Sequence, residues 1–259
     1  MKIGVFDSGI GGLTVLQALR RACPGLDMVY LGDTARVPYG SRSPETITKY
    51  SMDDAAFLCR QNVDAIVVGC NTVSAVALET LRQRLDVPVW GVIESAAQEA
   101  AAHTRSGTVG VIATSAAVAS GAYQRAVAAR RPETRILSQA CPLLVPLIEN
   151  GVSPEDPVAA LVTERYLRPL LGQEMDVLIL GCTHYPVYRP LFRRLLPGVE
   201  LINTGEALAR VLAERLDVPD GEGRVEYYVT ERSAAFADIV HIMDSSVDAE
   251  SIHVDASFI

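Results

Sequence analysis

Two of the five cysteines, Cys70 and Cys182, occupy matching settings in different parts of the chain. The segment DAIVVGCNTVSAVALETLRQRL, starting at Asp64, aligns without gaps on DVLILGCTHYPVYRPLFRRLLP, starting at Asp176. Each cysteine follows an apolar run and a glycine, and precedes a polar pair (Asn71-Thr72, Thr183-His184) that opens a stretch with helical spacing. A free cysteine is ordinarily a small buried apolar side chain, and Cys23, Cys59 and Cys141 are read that way. The repeated slot sets the other two apart. Unpaired N–H groups at a helix N-terminus are expected to lower a thiol pKa from about 8.5 toward neutrality. A thiol tuned in this way serves as acid or base. Two such groups facing one carbon from opposite sides suit removal of a proton from one face and delivery to the other, which inverts a stereocentre.

Other polar residues could assist. Asp7 is followed by SGIGG, whose glycines let the backbone approach a ligand, although an aspartate there also reads as a helix N-cap. His184 lies two residues beyond Cys182. Glu149 closes the apolar run PLLVPLIENG, where Asn150-Gly151 equally marks a helix C-terminus. Ser8, Thr72, Thr114 and Thr183 stand at expected helix starts, where hydroxyls and N–H groups can ligate carboxylates. The motif segments contain no clustered arginines, so such groups would have to hold an anionic substrate. Pro38, Tyr39 and Gly40 read as a turn, or as a wall or lid. Lys2 and Lys49 are the only lysines, and neither is placed for a pyridoxal Schiff base. No GxGxxG fingerprint occurs, so no cofactor is expected. His103, His184, His241 and His253 are scattered without zinc-like spacing, so no metal site is expected either.

The elements that would carry these residues follow a simple alternation. KIGVF, DMVYL, DAIVVG, VPVWGV, TVGVIA, VLILG and VELIN read as strands, each followed by a turn and a helical stretch, which indicates βαβ units and parallel sheets in an α/β fold. RVEYYVT reads as a further strand and SAAFADIVHIM as a helix. A second repeat lays KIGVFDSG, from Lys2, over TVGVIATS, from Thr108, so that Asp7-Ser8 falls on Ala113-Thr114. Two pseudo-symmetric parallel-sheet domains with helices on both faces are therefore expected. Residues 1–94 with 205–259 would form the first, and residues 95–204 the second. Ligands bind outside the carboxyl ends of strands in open parallel sheets, so both thiols should face the cleft between the domains.

Composition agrees with an enzyme of this kind. A chain of 259 residues suggests about two domains, and 49% hydrophobic with 21% charged residues is ordinary for a globular protein. The net charge of −8, without a basic block, argues against nucleic acid as a partner. Asp7 interrupts the first apolar run before it could act as a signal-peptide core, and no apolar run reaches membrane-spanning length. Five cysteines without a CxxC pair read as reduced thiols, which makes cytoplasmic residence the expectation.

The motifs DSGIGG, GDTARVPYG, GCNT, GVIE, PLIE, GCTHYP and YYVT, in this order and spacing, closely resemble the glutamate racemases of the aspartate/glutamate racemase superfamily. The resemblance covers essentially the whole chain, from Phe6-Asp7 to Tyr228. It implies cofactor-independent interconversion of L- and D-glutamate, with Cys70 and Cys182 as the proton donors and acceptors. Asp7 would assist the first thiol, and His184 and Glu149 the second. Substrate contacts would come from Asp7, Ser8, Pro38, Tyr39, Gly40, Asn71, Thr72, Thr114, Thr183 and His184. It further implies that Cys70 faces the proton of D-glutamate and Cys182 that of L-glutamate, that the product feeds peptidoglycan synthesis, and that the chain forms a homodimer.

Two positions depart from the pattern. Ala117 stands where a second threonine after Thr114 is expected, which would remove a hydroxyl near the carboxylate pocket. Asn203 replaces a common aspartate. The chain also begins at its first strand, so activation by a peptidoglycan precursor is not expected. Competing readings are racemisation of aspartate or hydantoins, malonate decarboxylation, a non-catalytic binding protein, and a Cys–His hydrolase or thiol–disulfide enzyme built on Cys182 and His184. The hydrolase and thiol–disulfide readings leave Cys70 and the repeat unexplained, and deuterium exchange from heavy water separates a racemase from a binder.

Overall fold

A computed structural model describes the whole chain, Met1–Ile259. Its strands are β1 (Lys2–Asp7), β2 (Asp27–Gly32), β3 (Ala65–Val68), β4 (Val89–Gly91), β5 (Thr108–Ala113), β6 (Arg135–Ala140), β7 (Val177–Gly181), β8 (Glu200–Asn203), β9 (Val225–Val229) and β10 (His253–Val254). They form two sheets, ordered β10-β9-β2-β1-β3-β4 and β6-β5-β7-β8, and every pairing is parallel. The run β2-β1-β3-β4 is matched by β6-β5-β7-β8, so β1 corresponds to β5 and β3 to β7. The two cysteine segments are one topological unit built twice.

Period-2 alternation explains why these short runs become central strands, since successive side chains enter opposite faces. Ile3, Val5, Met28, Tyr30 and Val67 enter one apolar cluster, whereas Phe6, Val29, Leu31, Ile66 and Val68 enter another across the sheet. The helix Leu13–Ala22 contributes Leu13, Leu16 and Leu19 to the first face, and the helix Pro44–Arg60 contributes Ile47, Phe57 and Leu58 to the second. The longer helix starts cleanly because the Ser43 side chain accepts from the Thr46 N–H and Pro44 opens its first turn. Ile112, Leu178 and Leu180 of the second sheet join the first cluster, so one core runs between the sheets.

The chain passes between the sheets twice, along the helices Val92–His103 and Thr204–Arg215, which pack against each other. Strand ends are level within each sheet: Asp7 pairs with Gly32 and Phe6 with Val68, while Ala113 pairs with both Ala140 and Gly181. Everything just beyond those carboxyl ends is therefore delivered to one rim. No helix is long and apolar enough to cross a membrane.

Some elements differ from the sequence-based expectation. Strand β6 was not foreseen, because RILSQA carries polar residues and lies partly exposed along an edge. The two-residue β10 is likewise an edge strand without an apolar signal. VPVWGV shortens to Val89–Gly91, and the late helix begins at Phe236 rather than Ser233.

Candidate active site

Cys70 is the N-cap residue of the short helix Asn71–Val76 and sits two residues beyond β3. The loop after β1 reaches the same place: Ser8 Oγ is hydrogen-bonded to Cys70 Sγ at 3.3 Å, and Asp7, 1% exposed, accepts from the Gly9 N–H at 3.1 Å. Asp7 does not cap a helix, and Ser8 does not begin one; the helix Leu13–Ala22 starts five residues later, with Gly12 as its N-cap. The expected lowering of the Cys70 pKa is overturned. Burial, followed by the neighbouring Asp7 charge, pushes the thiol up to about 12, and bonds from Ser8 and from the Val73 and Ser8 N–H groups offset only part of this. Asp7 moves the same way. Burial raises it to about 6, against the attraction of His184 and the Gly12 and Gly9 N–H groups.

Cys182 directly follows β7, but the segment after it is not an α-helix. Pro186 lies in a 3-10 turn, Tyr185–Tyr188, so the helix-terminus setting expected for this thiol is absent, and Thr183 opens no α-helix. A histidine takes over instead. His184 Nδ1 lies 3.9 Å from Cys182 Sγ and Nε2 lies 2.9 Å from Glu149 Oε1. Burial opposes the imidazolium, yet the bonds to Cys182 and Glu149 and their charges outweigh it, holding His184 up at about 10. Glu149 is the last residue of the helix Leu144–Glu149, with Asn150 as C-cap and Gly151 at φ 71°, and from there its carboxylate reaches His184 Nε2. Thr183 is anchored across the interface, its carbonyl accepting from Thr14 Oγ1 at 2.8 Å.

Both sulfurs line a single cavity of about 300 Å³ between the sheets, at the low end of the range for small-molecule sites. Ser8, Pro38, Tyr39, Gly40, Asn71, Thr72, Thr114, Thr183, His184 and Glu149 line it as well; Asp7 lies behind, against Ser8 and Thr183. No arginine or lysine is among the lining residues, which leaves His184 as the sole cation there. A carboxylate in this cavity would meet hydroxyls and amides. Thr72 Oγ1 and Thr114 Oγ1 bridge the two walls at 2.9 Å, and Thr114 also caps the helix Ser115–Ala119.

Pro38, Tyr39 and Gly40 form a wall through the turn Tyr39–Ser41. Gly40 is needed there, since a Cβ would come 2.9 Å from Thr114 Cβ. The Tyr39 hydroxyl, however, is turned away from the cavity into a buried ionic cluster: it donates to Asp33 and, at 3.0 Å, to Asp54. Arg36 binds Asp33, Asp53 and Asp54 at 2.6, 2.9 and 2.9 Å and so fastens the wall to the helix Pro44–Arg60.

The two departures read differently in three dimensions. Ala117 packs in the apolar cluster of the second sheet and lies outside the cavity lining, so no hydroxyl is lost from the pocket. Asn203 caps the helix Thr204–Arg215, accepting from the Gly205 and Glu206 N–H groups, and its amide donates to Glu206 Oε1, which an aspartate could not do. Two further residues escaped the sequence reading. Cys141, read as a structural thiol, follows β6 as Asp33 follows β2 and lines the cavity; burial and then the Cys182 charge push it to about 12. Recognising the polar edge strand β6 would have pointed to it. Tyr123 lies beneath the cavity and donates to Asn71 Oδ1 at 2.5 Å, with nothing in its local sequence to mark it.

Residues 3–212 match the family model described as Asp/Glu/Hydantoin racemase. The glutamate racemase of Aquifex aeolicus (strain VF5) is 48% identical over 233 residues, 90% of each chain. Among solved structures, glutamate racemase from Thermus thermophilus in complex with beta-chloro-D-alanine superposes with a TM-score of 0.88 at 42% identity, covering 99% of this chain and 97% of that one. The Francisella tularensis glutamate racemase, solved with D-glutamate, gives 0.88 at 33% identity, covering 98% and 96%.

Proposed function

The chain belongs to the Asp/Glu/hydantoin racemase family, and on that premise we propose that it interconverts L- and D-glutamate without a cofactor, one of Cys182 and Cys70 removing the α-proton and the other delivering its own proton to the opposite face. It is a racemase, an isomerase acting on glutamate. The observation that carries the two-thiol reading is that sulfurs from equivalent strand ends of the two sheets line one small cavity.

The two sulfurs have different surroundings. Cys70, pushed up to about 12, holds its proton and is ready to deliver it. Cys182 stands beside the imidazolium of His184, which Glu149 orients. In the L-to-D direction, Cys182 as thiolate takes the α-proton from one face. The carbanion electron pair at Cα then takes the Cys70 proton from the other, leaving a Cys182 thiol and a Cys70 thiolate. The starting state returns when the Cys182 thiol gives up a proton to solvent and the Cys70 thiolate takes one from it, or when D-glutamate is turned over in the opposite direction; the charge of His184 favours the Cys182 thiolate, and Asp7 stands near Cys70. Substrate carboxylates are held by the hydroxyls of Ser8, Thr72, Thr114 and Thr183, the amide of Asn71 and the backbone of Tyr39-Gly40.

The same reading divides the chain into residues 1–94 with 205–259, carrying Asp7 and Cys70, and residues 95–204, carrying Glu149, Cys182 and His184. The two crossings at Val92–His103 and Thr204–Arg215 support that division. It also makes the enzyme a cytoplasmic homodimer that supplies D-glutamate for peptidoglycan synthesis.

The test is a polarimetric assay on each glutamate enantiomer without added cofactor, repeated in heavy water. Racemisation from both sides with solvent deuterium at Cα of the product is expected. An enzyme that racemises neither enantiomer, or whose product carries no solvent hydrogen, would refute the two-thiol mechanism.

A further inference from the structure

Asn71 joins the two halves of the molecule beneath the cavity. It opens the helix after Cys70, whereas Tyr123 belongs to the helix Ala122–Ala128 of the second sheet's half. Both side chains are almost wholly buried, at 2% and 1% exposure. The Tyr123 hydroxyl donates to Asn71 Oδ1, and this is its one hydrogen bond. Asn71 lines the cavity, and its Nδ2 is buried with no protein group to accept from it. A buried donor without a partner is costly, so an amide kept in this state points to an acceptor supplied by what binds in the cavity.

We propose that Tyr123 is a positioning residue, holding the Asn71 amide in the one orientation that presents Nδ2 as a donor to a substrate carboxylate oxygen; this rests on the glutamate-racemase reading above. An asparagine amide can flip end for end. With Tyr123 present, the flipped state takes from the phenolic O–H the one hydrogen bond it makes and turns the Asn71 carbonyl toward the substrate's negative oxygens. Two unfavourable contacts thus oppose the flip. The hydroxyl is packed close to the segment before Cys182: a Cβ on Gly181 would stand 2.8 Å from the Ile112 carbonyl oxygen and 3.0 Å from both Ala113 Cβ and the Tyr123 hydroxyl. Burial raises the Tyr123 pKa, and charge at Cys182 or Cys70 raises it further, so the phenol stays a donor throughout the proton transfer.

The test is a cycle of Tyr123→Phe and Asn71→Ala, assayed on both enantiomers. Tyr123→Phe removes one oxygen from a packed ring, and loss of one oriented hydrogen bond should raise KM about three- to tenfold, with a smaller fall in kcat. Asn71→Ala should raise KM as well. Adding Tyr123→Phe to Asn71→Ala should then leave KM where Asn71→Ala put it, because the residue acts through the amide. An unchanged KM in Tyr123→Phe overturns the proposal, as does the same additional rise in the Asn71→Ala background, which is the signature of packing alone. A wild-type enzyme inactive on glutamate sinks the two-thiol reading and this inference with it; an active wild type with an indifferent Tyr123→Phe sinks this inference only.

Discussion

A methyl group on Gly11 would stand 2.4 Å from His184 Nδ1 and 2.5 Å from Thr183 Oγ1. The loop after the first strand therefore presses against the histidine that lies beside the second cysteine, and the two halves of the cleft share one packed floor.

Gly11→Ala should displace His184 from Cys182 while leaving every side chain of the cavity chemically unchanged. Misplacement by about 1 Å can cost on the order of a hundredfold in rate. We expect kcat to fall by about that factor in both directions, read by polarimetry. A variant with full activity would show that the contact relaxes at no cost to catalysis.

Replacing either thiol should stop racemisation from both sides, since each direction needs one donor and one acceptor. Cys70→Ser and Cys182→Ser are each expected to lose at least about a thousandfold, within the range for a positioned acid or base. The measurement is loss of optical rotation starting from pure L- and pure D-glutamate. Full activity in either variant would remove that sulfur from the mechanism.

Two titrations should bound activity. The profile of kcat/KM against pH should rise as Asp7 ionises near 6 and fall as His184 loses its proton near 10.

Stability gives an independent reading of Asp7. Its folded pKa is raised from 3.8, so its contribution favours the folded state fully below 3.8 and is lost as pH rises through about 6. At pH 8 the buried carboxylate costs roughly 3 kcal/mol. Asp7→Asn should consequently melt higher than wild type at pH 8, lose that advantage below pH 4, and be impaired in racemisation. Equal melting shifts at both pH values would contradict the sign.

Arg36→Met should be among the most damaging changes outside the cavity. Asp33 and Asp54 are fully buried, and Arg36 is the one cation bound to them. Leaving buried carboxylates without their partner costs about 3–5 kcal/mol, measurable by denaturant unfolding, and the wall at Pro38 to Gly40 should loosen with it. A loss below 1 kcal/mol would mean that the cluster takes up a proton in compensation.

Much of this arrangement is legible in the amino-acid order. Strands with β-branched residues on both faces declare themselves, and two gapless repeats identify β1 with β5 and β3 with β7, which places Cys70 and Cys182 at equivalent strand ends. The polar edge strand β6 is not legible, because it is held by backbone pairing with β5 while its own side chains are exposed or only partly buried. Cys141 is buried and apolar as its sequence setting suggests, but its place beside the cavity is hidden for the same reason.

What linear order establishes is local and periodic: where strands and turns fall, that the unit is duplicated, and which residue types sit at its tips. Folding settles what depends on distance and dielectric. It places a carboxylate and a desolvated pocket around Cys70, so that burial outweighs the pull of a helix end, and it substitutes His184 and Glu149 for a helix terminus at Cys182. It also brings Tyr123 against Asn71 across 52 residues of chain. Charge interactions fall off with separation in space and strengthen as water is excluded, and neither quantity is encoded by spacing along a sequence.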